Sequence, residues 1–240
     1  MYELLQKDHW LDRVLASCHG TAWGKMINFP IFDRLDIAGY GLFPGKDQGG
    51  LHITFQPGLT LVLGANGLGK TTLVTMLYRL LTGPVDIPGL SARVDLGSIS
   101  LEPKGLSGSA KEILANRVSD GAKGATGRLQ FRLGDHSVVV ERGLNDLSLT
   151  RFEVDGVQRA ADEKDSFQAE IASLVGVWSF GDWILLLRHM VFYFEDRRAL
   201  VWDASAQRQL LRFLFLPAAT ARKWTQDERI ILKLDSDARI

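Results

Sequence analysis

The sequence predicts an α/β fold, with a mixed sheet around a glycine-rich turn and an antiparallel meander beside it. Three observations predict it. Leu59 to Leu63 is nearly continuous in apolar character, as a strand buried on both faces is. The glycine-rich turn after it leads into Lys70 to Leu81, where Leu73, Met76, Leu77, Leu80 and Leu81 recur at helical spacing. Further on, Arg128 to Leu133, Val138 to Arg142 and Leu147 to Val154 read as strands divided by turn residues.

Along the chain, residues 1–17 suit a short amphipathic helix, with Leu4, Leu5, Leu11, Val14 and Leu15 on roughly one side. Phe29 to Ala38 and Leu51 to Phe55 follow as strands, the second alternating apolar and polar residues as a half-exposed strand does. Gly83-Pro84 stops the helix that starts at Lys70. Pro84 to Gly127 is rich in Gly, Ser and Pro and predicts a long irregular insertion. Gly134-Asp135 and Asp155-Gly156 supply the meander's turns. Asp162 to Val175 predicts a helix, Trp183 to Phe194 a buried segment, and Ala204 to Leu216 another helix. Ile230, Ile231 and Leu234 place a helical stripe in Thr225 to Ile240, which runs on without a stop signal and is expected to open a coiled-coil arm. The chain thus divides into an extension (1–27), a main lobe (28–224) and the start of an arm (225–240).

Composition narrows the function classes. Lys plus Arg and Asp plus Glu balance at 28 each, so overall charge gives no support to a nucleic-acid-binding role. Cys18 is the only cysteine, which rules out an intrachain disulfide and leans towards a reducing, cytoplasmic setting. Glu3, Lys7, Asp8, Asp12 and Arg13 stand where a secretory signal needs an apolar run. Trp183 to Phe194 is too short to span a bilayer and contains Arg188 and His189, so no membrane partner is expected.

The chemistry concentrates in Gly64-Ala65-Asn66-Gly67-Leu68-Gly69-Lys70-Thr71, a full match to G-x-x-x-x-G-K-[ST]. Glycines let the backbone turn tightly enough for successive N–H groups to converge on phosphate oxygens. The helix that begins there adds its partial positive charge. Lys70 is placed to reach the β- and γ-phosphates and Thr71 to ligate Mg²⁺, with Thr72 in the same turn, so the expected ligands are ATP and Mg²⁺.

The Asn66-Gly67 wording of this loop resembles the ABC-type ATPases, and within them the SMC-like coiled-coil ATPases of chromosome maintenance and repair. The order of elements over roughly residues 28–240 agrees, including a Glu-Arg pair in the meander at Glu141-Arg142. The resemblance implies the N-terminal lobe of an ATPase head. It also implies a Q-loop after the buried segment, at Phe192-Tyr193-Phe194-Glu195-Asp196. No glutamine stands there; Glu195 is the candidate substitute, touching Mg²⁺ and the attacking water, with Asp196 the next choice, and a solvated charge cluster with Arg197 and Arg198 is the competing reading. Relatives often present a basic residue after the first strand; Tyr40 and Lys46 lie nearby, and neither is assigned.

Parts needed for ABC-type hydrolysis are missing. Leu106-Ser107-Gly108-Ser109 mimics a signature loop but comes too early. Ile230 to Asp235 imitates a Walker B strand but is interrupted by Lys233 and carries Ser236 in the glutamate's place. Asp86-Ile87-Pro88-Gly89 fits a GTPase D-x-x-G without the base-reading motif that should follow. The expectation is an N-terminal half-head, with hydrolysis needing a C-terminal half that carries Walker B and signature motifs. By resemblance, ATP would join two heads into a homodimer that acts on or senses DNA, with a nuclease or effector subunit as a further partner. SbcC- and RecN-like repair proteins and Lamassu-type defence heads are the branches resembled. A P-loop phosphotransferase and a nucleotide-dependent assembly scaffold are the alternatives.

Overall fold

In the computed structural model of the chain, the described residues are 27–87, 102–194, 204–216 and 218–238. Residues 1–26 of the predicted extension, with Cys18, lie outside them, as do Glu195 and Asp196. A six-stranded sheet forms the scaffold, in the order β2-β1-β5-β6-β7-β8. Its strands are β1 (Pro30–Ala38), β2 (Leu51–Thr54), β5 (Thr126–Leu133), β6 (His136–Gly143), β7 (Leu149–Val154) and β8 (Val157–Gln158). Every pairing in it is antiparallel, which corrects the expected mixed sheet. The meander does not stand beside a separate sheet: β5 pairs directly with β1 from Pro30↔Leu133 to Ala38↔Thr126.

The period-2 pattern explains which face is which. Leu35, Ile37, Leu129, Phe131, Val138, Val140, Phe152 and Val154 point inward and are buried. Against them packs α1 (Lys70–Thr82), whose Leu73, Met76, Leu77, Leu80 and Leu81 form the buried stripe. Arg142 also points inward, is fully buried, and lies over the Phe167 ring with its guanidinium carbon 4.7 Å from the ring centre. The turn at Asp155-Gly156 has φ of 52° and 75°, the left-handed pair that a two-residue hairpin needs.

On the outer face, register sets His52 opposite Asp36, Asp36 opposite Arg128, Arg128 opposite Glu141, and Glu141 opposite Arg151. Acidic and basic side chains therefore alternate from Asp36 on β1 to Arg151 on β7, and His52 Nδ1 meets Asp36 Oδ1 at 2.6 Å. Arg128→Glu would face two carboxylates at once. We expect it to cost about 1 kcal/mol, seen as a lowered urea midpoint that recovers in high salt.

The insertion is more ordered than its composition predicts. β3 (Val85–Asp86) pairs with β4 (Lys104–Gly105), a helical turn α2 (Gly108–Lys111) follows, and a 3₁₀ turn runs Ala115–Arg117. Leu114, Ala115, Ala122 and Ala125 are buried, so the segment packs as part of the core. Residues 88–101 lie outside the description. The helix predicted at 162–175 divides into a π-helical stretch, Glu163–Gln168, and α3 (Ala169–Val175). The buried segment predicted from Trp183 is α4 (Phe180–Leu186), continued by a π-helical turn to Val191. Two helices close the chain, α5 (Ala204–Phe215) and α6 (Ala218–Ala238), the second beginning before the predicted Thr225. Among the described residues no single helix is long and apolar enough to cross a membrane.

The largest departure from expectation is at Leu59–Leu63. The segment forms no strand, has no sheet partner among the described residues, and is exposed: Leu59 85%, Leu61 67%, Val62 48% and Leu63 85%. Its apolar run has the pattern of a strand buried on both faces. The six-stranded sheet does not reach it, so no strand among the described residues covers either face.

Candidate functional site

The phosphate-loop motif lies between this exposed segment and α1. Gly67 and Gly69 take left-handed φ of 86° and 84°. At Gly69 a second constraint applies: a Cβ would stand 2.7 Å from Leu42 Cδ2 and 3.1 Å from Phe43 Cζ. The β1–β2 loop thus forms a wall against the last glycine of the motif, a contact between segments distant in sequence. Gly69→Ala would meet both constraints. It is expected to cost about 1–3 kcal/mol and to weaken nucleotide binding, measured by urea melts alongside a nucleotide titration.

Lys70 Nζ donates to Gly64 O at 2.7 Å and Ala65 O at 2.8 Å, folding the side chain back over its own loop. Its ammonium is thereby held above the loop backbone, on a part-exposed side chain. Gly64, Ala65, Asn66, Gly67 and Leu68 are exposed, and so is Thr71. Thr72 is 8% exposed and turns into the protein, which leaves Thr71 as the accessible hydroxyl of the pair.

The start of α1 is unusual for a helix in a way that favours an anion. Helices ordinarily begin with a Ser, Thr, Asp or Asn cap and carry acidic residues in the first turn. Here the cap is Gly69, no side chain accepts from the first N–H groups, and the first turn holds no acidic residue. The orphan donors and the partial positive charge are therefore uncompensated by the chain itself. A triphosphate supplies the acceptors and the negative charge that this end lacks, so these residues fit the ligand. The loop amides and Lys70 would hold the phosphates, and Thr71 would ligate Mg²⁺, which neutralises phosphate charge when bound. Among the described residues no three His, Cys, Asp or Glu side chains gather into an independent metal site.

A family model described as an AAA domain matches residues 34–204, well over half of the chain and including the whole loop. The chain belongs to the AAA domain family. It is accordingly a P-loop, nucleotide-binding ATPase domain in the general sense of that family. No curated protein and no solved structure matches the chain.

Other candidates in this AAA domain are taken up structurally. Tyr40 is 1% exposed and donates to Leu114 O at 2.8 Å, tying the β1–β2 loop to the insertion. Burial raises its phenol above the usual value. Lys46 is exposed on a short turn, Lys46–Gln48, in which Asp47 and Gln48 both adopt positive φ. Asp86 accepts from Arg79 at 3.1 Å and Tyr78 at 3.3 Å, so it anchors the end of α1. Ile230 to Asp235 lies within α6 and is no Walker B strand. The Q-loop candidate Glu195 falls outside the described residues. Phe194 before it packs on Tyr78, ring centres 5.5 Å apart, about 12 Å along α1 from Lys70.

Sequence reasoning missed Leu42 and Phe43 as the wall of the loop. The residues themselves carry no signal for it, since an apolar pair in a loop reads as ordinary core. Gly69 carried half of the signal, because a motif glycine needs both its backbone angle and the space beside it.

Proposed function

We propose that this AAA domain is the ATP-binding half-head of an SMC-like ATPase, completed by a further half that supplies the Walker B and signature motifs. The observation that supports this best is the exposure of Leu59, Leu61, Val62 and Leu63 immediately before the phosphate loop. A continuous apolar run is the pattern of a strand with neighbours on both faces. All of the described strands pair elsewhere, so the neighbours must come from another segment or chain. The exposed Trp224, Ile230, Ile231 and Leu234 of α6 present a second apolar surface, in keeping with an arm that packs on a returning helix.

In this reading Lys70, Thr71 and the loop amides bind ATP·Mg²⁺, with Glu195 as candidate partner of the metal and the attacking water. The completing half supplies the general base. ATP then joins two such heads, and hydrolysis releases them. DNA is the substrate that the resemblance implies, in repair or in defence against foreign DNA. The outer face of the sheet is poorly suited to hold it, because acidic and basic residues alternate across it instead of forming a basic track.

Light scattering on the full-length gene product tests the reading. Wild type should dimerise with ATP·Mg²⁺, Lys70→Ala should not, and Glu195→Gln should dimerise but release slowly; added DNA should shift the wild-type equilibrium. A protein that binds ATP yet stays monomeric at every concentration would overturn head engagement and favour a phosphotransferase.

A further inference from the structure

The far end of α1 is gripped by two side chains from other elements. Leu80 O accepts from Arg142 Nε at 3.1 Å, and Leu81 O accepts from Trp183 Nε1 at 3.4 Å. These are last-turn carbonyls with no acceptor role left inside the helix, so both donors act on the helix end as such. Trp183 is fully buried in α4. Its neighbour Asp182 accepts from Arg212 Nη2 of α5 at 2.5 Å, and the two side chains are 0% and 2% exposed. Gln209 of α5 and His189, in the turn that extends α4, are also buried.

A polar joint of this kind is a poor choice for stability alone. Removing two charges from water costs several kcal/mol per ion, and apolar residues of similar volume commonly do as well or better. What a buried ion pair does is select one geometry, because displacement of either partner leaves a charge uncompensated. An apolar contact would allow graded sliding; this one holds or releases. α5 leads within a few residues into α6, so its seat on α4 sets the direction in which the long helix leaves the domain.

We propose that the Asp182–Arg212 pair is a positioning joint that ties the orientation of α5 and α6 to the state of the phosphate-loop helix. The inference rests on the reading that the loop binds a nucleotide. Closure of the loop on phosphates shifts α1 as a rigid element, since packed interiors transmit displacement. The grip of Trp183 on Leu81 carries that shift to α4, and Asp182 passes it to Arg212.

Hydrogen exchange across residues 204–216 and 218–238, with and without ATP·Mg²⁺, reads the coupling. In the wild type, ATP is expected to change exchange in α5 by about fivefold or more. The double variant Asp182→Leu, Arg212→Met should melt no lower than wild type and still bind ATP, while exchange in α5 no longer responds. A merely structural pair would leave the response intact in this variant, and that result overturns the proposal. Trp183→Phe, which keeps the ring and loses the N–H, decides the matter if the double variant does not fold: an undiminished response overturns the joint, a weakened one supports it. Wild-type protein that binds ATP without any change in α5 also overturns the joint while leaving the nucleotide site standing. Failure to bind ATP at all overturns both.

Discussion

Replacing Lys70 with alanine is expected to lower ATP affinity by about tenfold to a hundredfold, with the melting temperature unchanged. The ammonium makes charge-assisted hydrogen bonds, worth about 1.5–3 kcal/mol each, and each 1.4 kcal/mol is about tenfold in affinity. In the free loop its partners are the carbonyls of Gly64 and Ala65. Both carbonyls lie on exposed residues, so water replaces the lost donor at little cost to the fold. Calorimetric titration with ATP·Mg²⁺, paired with a thermal melt, checks both halves of this expectation. An unchanged affinity would show that Lys70 stays on its loop carbonyls and does not reach the phosphates. A lowered melting temperature would show that the lysine clasp holds the domain together.

Arg142→Met should have the opposite signature, a large loss of stability in a residue that touches no ligand. The guanidinium donates from Nε to Leu80 O at 3.1 Å and from Nη1 to Leu147 O at 3.0 Å while lying over Phe167. Each buried carbonyl left without its donor costs about 1–3 kcal/mol, so a net loss of about 3 kcal/mol is expected after the relief of desolvating a charge. For a chain of this size that lowers the melting temperature by about 6–12 °C. Arg142→Lys should recover little, because one ammonium on a flexible stem does not reproduce a planar fork of donors. Circular dichroism melts of both variants test this. A fall of less than about 2 °C for methionine would mean that the two carbonyls find other partners.

These expectations show which kinds of information the sequence carries. Gly64 to Thr71 stands out in the sequence because a phosphate-loop pattern constrains consecutive residues: tight turns, a lysine and a hydroxyl at set spacing. The helix over Lys70–Thr82 and the meander strands were legible for a similar reason, since period 3.6 and period 2 are local consequences of facing one core. Arg142 was noticed only as half of a Glu-Arg pair. That it would be buried, and Glu141 left on the outer face, follows from the strand's alternation once the core side is known.

The reading failed where the outcome depends on what else is present. Leu59–Leu63 has the composition of a strand buried on both faces, yet burial is a property of neighbours, and no described strand pairs with this segment. The expected mixed sheet is corrected as well, since every pairing in the six-stranded sheet is antiparallel. The insertion erred in the other direction: Tyr40 reaching Leu114 across 74 positions gives a glycine-rich stretch an anchor that no local pattern announces.

What the sequence by itself determined is the phosphate-loop motif, the helix behind it and the turns of the meander, all set by residues within a few positions of one another. The tertiary structure alone decided the wall of Leu42 and Phe43 against Gly69, the choice of Thr71 over Thr72 at the surface, and the grip of Arg142 and Trp183 on the end of α1. Those depend on side chains meeting across long stretches of chain, where a packed core leaves one arrangement and the sequence pattern permits many.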